Sequence, residues 1–255
     1  MVKDIIYNQS CEDTMANLSE DSVDVILTSP PYNMTSRKGG NADTGRYDVY
    51  RDWKSEEEYI QWTVDIFDGF NKVLKPNGAI IYNFNYSVEN PSLPYKLITA
   101  ICNNTPFTLV DTIMWKKSNG MPFAANRTRL SRIWEFVWII TRKREVDSFN
   151  CYKGISKVGK QGQNYYNIVY NIVEAKNNDG DKQKLNQATY SSELCNKLLS
   201  IYSKEGDVIY DPFMGTGTTG VACVETNRHY IGSEISTAQC QYAEERIEKV
   251  KLKFD

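Results

Sequence analysis

Two short stretches of this chain combine residue types that can do chemistry. The first is Thr28-Ser29-Pro30-Pro31-Tyr32. Each proline fixes φ and removes a backbone N–H, and the residue before a proline is pushed out of the helical region. The product is a stiff, extended segment with unused carbonyls, a hydroxyl at Ser29 and an aromatic ring at Tyr32. Such a segment could accept hydrogen bonds from an exocyclic amino group while Tyr32 stacks on the ring that carries it. The same residues also fit a plain Pro-Pro turn with a surface tyrosine, and only the rest of the chain can decide between the two.

The second stretch runs from Asp211 through Pro212-Phe213-Met214 into Gly215-Thr216-Gly217-Thr218-Thr219-Gly220. It matches the G-x-G-x-x-G pattern, whose glycines let the backbone approach a ligand closely. Glu234 lies near the distance at which an acid accepts ribose hydroxyls. This combination points to an adenosine-type cofactor. No Gly-Lys-Ser/Thr follows, which argues against a P-loop nucleotidase.

The elements that must hold these stretches alternate in kind. Val23-Asp24-Val25-Ile26-Leu27 reads as a buried strand leading into the first stretch, and Asp207–Tyr210 as a strand leading into the second. Further strands are expected at Asp4–Tyr7, Ala79–Phe84, Phe107–Trp115, Ile133–Thr141 and Tyr230–Gly232. Helices are expected at Glu12–Leu18, Leu93–Cys102, Ser191–Ser203 and Thr218–Thr226. Another starts at Ser55, which with Glu58 forms a capping-box pattern, and the last starts at Ser236 with Gln239. Alternation of this kind predicts a mostly parallel sheet covered on both faces. Such sheets bind ligands beyond the carboxyl ends of their strands, where both stretches fall. Residues 33–52 are too long for a structural connection and read as a lid. Residues 145–187 are rich in Asn, Gln, Lys, Gly and Tyr, lack a sustained period and read as an irregular insertion.

Length and composition narrow the classes. At 255 residues with 41% hydrophobic residues, the chain fits one domain, 1–255, carrying that insertion. No apolar run approaches the roughly 18 residues that span a membrane, and no signal-peptide pattern opens the chain. An intracellular, cytoplasmic protein is expected. Six scattered cysteines and one histidine, His229, argue against a zinc site and against a Ser-His-Asp hydrolase, so no metal is expected. His229 opens an apolar run and reads as a packing residue. The net charge is −2, yet Lys116–Lys160 holds eleven Lys/Arg against three acids, a balance of +8 that leaves −10 elsewhere. A basic tract in an otherwise acidic chain points to a polyanionic partner, or simply to a solvated face. A nicotinamide dehydrogenase is the enzyme rival, but only about twenty residues follow Glu234, too few for a second mononucleotide half. Asp211 would also sit poorly beside a pyrophosphate and well beside a cation, which favours S-adenosylmethionine.

With these residues in order, the chain resembles the amino-group DNA methyltransferases of the permuted β order. Thr28–Tyr32 looks like their catalytic motif, Asp211–Thr219 like their cofactor motif and Ile231-Gly232-Ser233-Glu234 like their ribose-binding strand. Ile113–Lys117 and Glu135 also sit where that family has strand motifs. Two stretches differ. Asn8-Gln9-Ser10-Cys11 lacks the acid that often follows the first strand, and Asn186–Tyr190 replaces a His-Pro pattern before the cofactor motif. The resemblance implies a Rossmann-like α/β fold that uses S-adenosylmethionine, with 145–187 as a target-recognition insertion. It implies catalysis by Ser29, Pro30, Pro31 and Tyr32. Cofactor binding would fall to Ser10, Asp211, Phe213, Gly215, Thr216, Gly217, Thr218 and Glu234. Phosphates of double-stranded DNA would meet Arg37, Lys38, Lys116, Lys117, Arg127 and Arg129.

The expected chemistry is methyl transfer to a flipped-out base in a restriction-modification setting. Ser29 and the Pro30 carbonyl would accept the amino hydrogens while Tyr32 stacks on the base. Within the family, serine at this position accompanies cytosine N4, and aspartate more often adenine N6. N4-cytosine is therefore the expected product and N6-adenine the alternative, with a non-catalytic DNA-binding protein as the rival outside enzymes. A homodimer stays open.

Overall fold

The computed structural model describes residues 2–33, 49, 54–85, 90–120, 130–180 and 189–253. The expected lid at 33–52 falls almost wholly outside them. Ten strands are described: β1 Ile5–Tyr7, β2 Val23–Thr28, β3 Leu74–Phe84, β4 Phe107–Lys117, β5 Trp134–Arg142, β6 Ile155–Val158, β7 Asn164–Tyr166, β8 Ile172–Ala175, β9 Val208–Asp211 and β10 His229–Ser233. Six helices accompany them: α1 Cys11–Asn17, α2 Glu56–Val73, α3 Leu93–Asn104, α4 Ser192–Tyr202, α5 Thr218–Glu225 and α6 Thr237–Lys251.

Eight strands form one sheet in the order β1-β10-β9-β2-β3-β5-β4-β8. The pairs from β1 across to β3 are all parallel, whereas β5 runs antiparallel to both β3 and β4. β8 pairs parallel with β4. The sheet is mostly parallel, as the alternation of elements implied. Sequence pattern does not reveal the reversal at β5, because a strand buried on both faces reads as one apolar run in either direction.

Both faces are covered, each by three helices. α1, α2 and α3 pack Met15, Phe67, Phe70 and Leu97 against Ile26, Ile80, Tyr82 and Trp138. On the other face α4, α5 and α6 pack Leu198, Val221 and Ala243 against Val25, Leu27, Ile139 and Ile209. Consecutive strand residues Val25, Ile26 and Leu27 thus serve alternate faces, as the two-residue period of a strand requires. Each such apolar side chain contributes about 1.5–3 kcal/mol when fully buried.

Local signals place the helix ends. Ser55 and Glu58 form a complete capping box, with Ser55 N–H donating to Glu58 Oε2 at 2.8 Å and Glu58 N–H to Ser55 Oγ at 3.2 Å. Ser10, Ser191 and Ser236 cap α1, α4 and α6. β3 begins earlier than Ala79, because pairing with β2 starts at Leu74 and continues past a register shift at Pro76-Asn77-Gly78. Proline tolerates such a bulge because no ladder hydrogen bond is required of it there.

The insertion is more regular than its composition implied. β6 and β7 form an antiparallel hairpin, and β8 joins the edge of the main sheet. Its exposed Ile155, Val158, Tyr165 and Tyr166 show no burial alternation, which is why no strand period shows in the sequence. His229 is also not the packing residue expected. Its Nδ1 sits 2.9 Å from Asp4 Oδ2, at a partly exposed position.

Candidate active site

Parallel strands β9 and β2 are neighbours, and the chain leaves the carboxyl end of each through one of the two chemically distinctive stretches. A side-chain hydrogen bond ties those ends together: Thr28 Oγ1 donates to Asp211 Oδ1 at 2.8 Å, across 183 residues of sequence. Beyond them opens a cleft of about 260 Å³. It is lined by Ser29 and Pro31 from the first stretch and by Asp211, Phe213, Gly215, Thr216 and Thr218 from the second. Ser10 and Glu234 line it as well.

Asp211 is buried and accepts four hydrogen bonds, from Thr28 and Phe213 N–H on Oδ1 and from Tyr190 and Thr219 on Oδ2. Burial pushes its carboxyl above the ordinary carboxylate value, against the opposing pull of these donors. Burial likewise pushes the Tyr190 hydroxyl well up, and the neighbouring Asp211 charge adds to it. Among the described residues Asp211 has no ion pair, so a cation in the cleft would find an uncompensated carboxylate. Tyr190 closes the stretch that differs from the family's His-Pro pattern, and here it supplies one of the donors.

Glu234, just past β10, accepts Gly215 N–H on Oε2 and Ser236 N–H on Oε1, both at 2.8 Å. Thr216 is buried, lines the cleft, and its hydroxyl has no hydrogen-bond partner among the described residues. A buried polar atom left in that state is costly unless a ligand satisfies it. The far end of the cleft is aromatic, with Trp62 and Phe213 at 5.7 Å between ring centroids. Glu12 lines the cleft beside them and accepts the Trp62 indole N–H at 3.0 Å. An acid thus stands two residues beyond Ser10, at the corner where the sequence shows none between Asn8 and Cys11. The cleft therefore offers a carboxylate facing a potential cation, a ribose acceptor, an orphaned hydroxyl and an aromatic end, a set that fits S-adenosylmethionine.

Several expected site residues sit elsewhere. Gly217 is not part of the cleft wall. It caps α5 with φ +82°, and a Cβ there would lie 2.8 Å from Ala243 Cβ on α6. Its role is to let α5 and α6 approach each other. Pro30 is buried behind the cleft surface, and the Pro31 carbonyl accepts the Tyr59 hydroxyl at 2.6 Å.

Tyr32 does not present its ring to the cleft. It is buried, meets Phe84 edge-on at 5.0 Å, and turns its hydroxyl towards Ser29 Oγ at 2.8 Å, Asn83 Oδ1 at 3.0 Å and Glu135 Oε2 at 3.1 Å. Lys117, expected on DNA phosphates, is instead half-buried and ion-paired with Glu135. Lys116 is exposed and pairs with Glu174 at 3.1 Å. Arg37, Lys38, Arg127 and Arg129 lie outside the described residues.

Part of the basic tract is structural. Arg142 is buried and donates to the Asn71, Leu74 and Lys75 carbonyls at the end of α2. Glu12, Trp62, Asn83, Glu135 and Tyr190 are not recognisable as site residues from sequence. They come from elements far apart in the chain and lie in no short pattern, although Glu135 falls in a stretch that carries the family resemblance. Among the described residues no group of three His, Cys, Asp or Glu side chains could hold a metal. No described helix is long and apolar enough to cross a membrane.

A doubly wound sheet with its cleft at the strand switch point is the architecture of Rossmann-like transferases, and solved structures agree. The chain is similar to the PvuII DNA methyltransferase (cytosine-N4-specific), with TM-score 0.70, 18% identity, and coverage of 97% of this chain and 91% of that one. It is also similar to the M1.HpyAVI–SAM complex, with TM-score 0.62, 24% identity, and coverage of 94% and 98%. The fold is thus that of S-adenosylmethionine-dependent methyltransferases. The family itself follows from sequence: the profile of the DNA methylase family matches residues 23–245, and the chain belongs to that family. Among curated relatives, the type II methyltransferase M.HinfI of Haemophilus influenzae is 25% identical, covering 96% of this chain and 68% of that protein. M.BglII of Bacillus subtilis is 23% identical, covering 90% and 65%. The chain spans about two thirds of the length of these two relatives.

Proposed function

We propose that this protein transfers a methyl group from S-adenosylmethionine to the exocyclic N4 of cytosine in double-stranded DNA. The observation that carries the reading is the Thr28–Asp211 bond, which joins the two strand ends so that Ser29 and the glycine turn line one cleft. Asp211, Glu234, Thr216 and the Trp62–Phe213 pair would hold the cofactor. When bound, it supplies an electrophilic methyl group. Ser29 accepts an amino hydrogen of the base, which turns the nitrogen lone pair out of the ring plane; the Pro30 carbonyl, the second acceptor expected from sequence, belongs to a buried residue that does not line the cleft. Most of the acceleration then comes from positioning, for which effective molarities are large. Serine rather than an acid at position 29 favours cytosine, and the cytosine-N4-specific PvuII enzyme has a similar fold.

DNA would lie over the cleft mouth, with Lys116 and the β6–β7 hairpin on the same segment of chain. The hairpin carries Lys153, Lys157 and Lys160 in or beside its strands, with the exposed Tyr165 and Tyr166, and we assign target recognition to the insertion at 145–187. Phosphate contacts of this kind give affinity that falls steeply with salt.

The test is transfer of labelled methyl from S-adenosylmethionine to unmethylated duplex DNA of varied sequence, followed by nucleoside mass spectrometry. The expected product is N4-methylcytosine, lost in Ser29→Ala and strongly reduced in Tyr32→Ala. N6-methyladenine would overturn the choice of base, and the absence of any methylated nucleoside would overturn the reading as a whole.

A further inference from the structure

Behind Ser29 lies a polar cluster whose hydrogens can be counted among the described residues. The Tyr32 hydroxyl has one hydrogen and, among the described residues, three oxygen neighbours: Ser29 Oγ at 2.8 Å, Asn83 Oδ1 at 3.0 Å and Glu135 Oε2 at 3.1 Å. Asn83 turns its oxygen towards Tyr32, because its amide nitrogen donates to the Phe136 carbonyl at 2.9 Å and towards Glu135 Oε2 at 3.3 Å. Lys117 pairs with the other carboxylate oxygen of Glu135 and compensates its buried charge. Two of the three neighbours of Tyr32 are therefore acceptors that carry no hydrogen, and one is a charged acceptor, the stronger kind.

That arithmetic fixes direction. Tyr32 gives its hydrogen to Glu135 or Asn83 and offers its lone pair to Ser29. Of the three oxygens around Tyr32, only Ser29 has a hydrogen to give back. The Ser29 hydrogen then points inward at Tyr32, and its lone pairs are left for the cleft, whose wall Ser29 forms.

We propose that Glu135 and Asn83, acting through Tyr32, make Ser29 a one-way acceptor and so select an amino-bearing over a keto-bearing base. The inference rests on the methyl-transfer reading and deepens it. Cytosine presents an amino group where uracil presents a carbonyl, and adenine differs from hypoxanthine in the same way. A hydroxyl whose hydrogen is held elsewhere can serve the first of each pair and repels the second. Glu135, Asn83 and Tyr32 are positioning residues in this scheme, and Lys117 keeps Glu135 in place.

The test compares Tyr32→Phe with the wild-type protein. The variant keeps the ring against Phe84 and removes the acceptor that holds the Ser29 hydrogen. Once the methylated sequence is known from product mapping, two duplexes are titrated by fluorescence anisotropy in S-adenosylhomocysteine. One carries the natural target base, and the other carries its keto counterpart (uracil for cytosine, hypoxanthine for adenine). The mismatch this creates affects both proteins alike and cancels in the comparison. Tyr32→Phe is expected to shift the amino-over-keto preference by roughly tenfold, the size of one hydrogen bond. Glu135→Gln, which leaves Asn83 as an acceptor, should give an intermediate shift, and Glu135→Asp should restore part of it. A merely structural role would lower both affinities together. An unchanged preference in both Tyr32→Phe and Glu135→Gln would overturn the proposal while leaving the methyl-transfer reading intact. A wild-type protein that methylates no DNA would overturn both.

Discussion

Gly217→Ala tests whether the glycine turn is shaped by helix packing or by the ligand. Its φ of +82° lies in the left-handed region, and a new Cβ would stand 2.8 Å from Ala243 Cβ and 3.0 Å from Ala243 Cα. The second contact is with backbone, so no side-chain rotation relieves it. The conformational cost is about 1–2 kcal/mol and the overpacking cost about 1–3 kcal/mol, giving roughly 2–5 kcal/mol in all. Gly206 provides the control, because it has the same φ of +82° and nothing within 4 Å of where a Cβ would stand. Gly206→Ala should therefore show only the conformational part, about 1–2 kcal/mol. Urea unfolding of the two variants measures the difference directly. Because Thr216 and Thr218 flank Gly217 and line the cleft, the displaced α5 should also weaken binding of S-adenosylhomocysteine by calorimetry. Ala243→Gly in the Gly217→Ala background should recover part of the stability. If Gly217→Ala cost no more than Gly206→Ala, the packing argument would fail.

Two further outcomes are expected. Thr28→Val keeps shape and removes the hydroxyl that joins the two strand ends; since Asp211 retains three other donors, urea unfolding should show a loss near the low end for bonds to charged groups, about 1.5 kcal/mol, with slower methyl transfer. An unchanged stability would show that the tie contributes nothing to the fold. The second concerns pH. Burial raises the Asp211 carboxyl, so the folded protein holds that proton more tightly than the unfolded chain does. Its contribution is full below the ordinary carboxylate value of about 4 and is lost as pH rises through the raised value. The urea midpoint of Asp211→Asn should consequently fall less steeply with rising pH than that of wild type. Asp207, also raised by burial, keeps its own share of the slope in both proteins, and equal slopes would refute the assignment.

The parts of this molecule that are legible in sequence are those encoded locally. Ser55 with Glu58, Ser10, Ser191 and Ser236 mark helix starts through bonds spanning three residues. The glycine turn and the Ser-Pro-Pro-Tyr exit announce themselves because unusual backbone demands unusual residues. What sequence hides is pairwise and distant. Trp62 meets Glu12 across 50 residues and Tyr32 meets Glu135 across 103, and neither pair leaves a periodic trace. Charge also misleads: Lys117 and Arg142 contribute to a basic tract on paper, yet one neutralises a buried acid and the other ties down the carbonyls that end α2. Tyr32 defies its expected stacking role for a related reason. Its position beside Ser29 is plain, but the direction of its ring depends on Phe84, which belongs to another strand.

The strand order has a consequence for how the protein comes to be. β2 is flanked by β3, about fifty residues ahead, and by β9, which follows it by more than 180 residues, while Ile5 of β1 pairs with Ile231 of β10. During synthesis the β2 edge thus waits, unpaired, until β9, more than 180 residues later, has left the ribosome. Non-local pairing of this kind slows folding and exposes strand edges to aggregation. The ligand cleft, closed by the Thr28–Asp211 bond, cannot form before β9 arrives, and a ligand that contacts residues from both strand ends would capture the chain at the moment those ends meet.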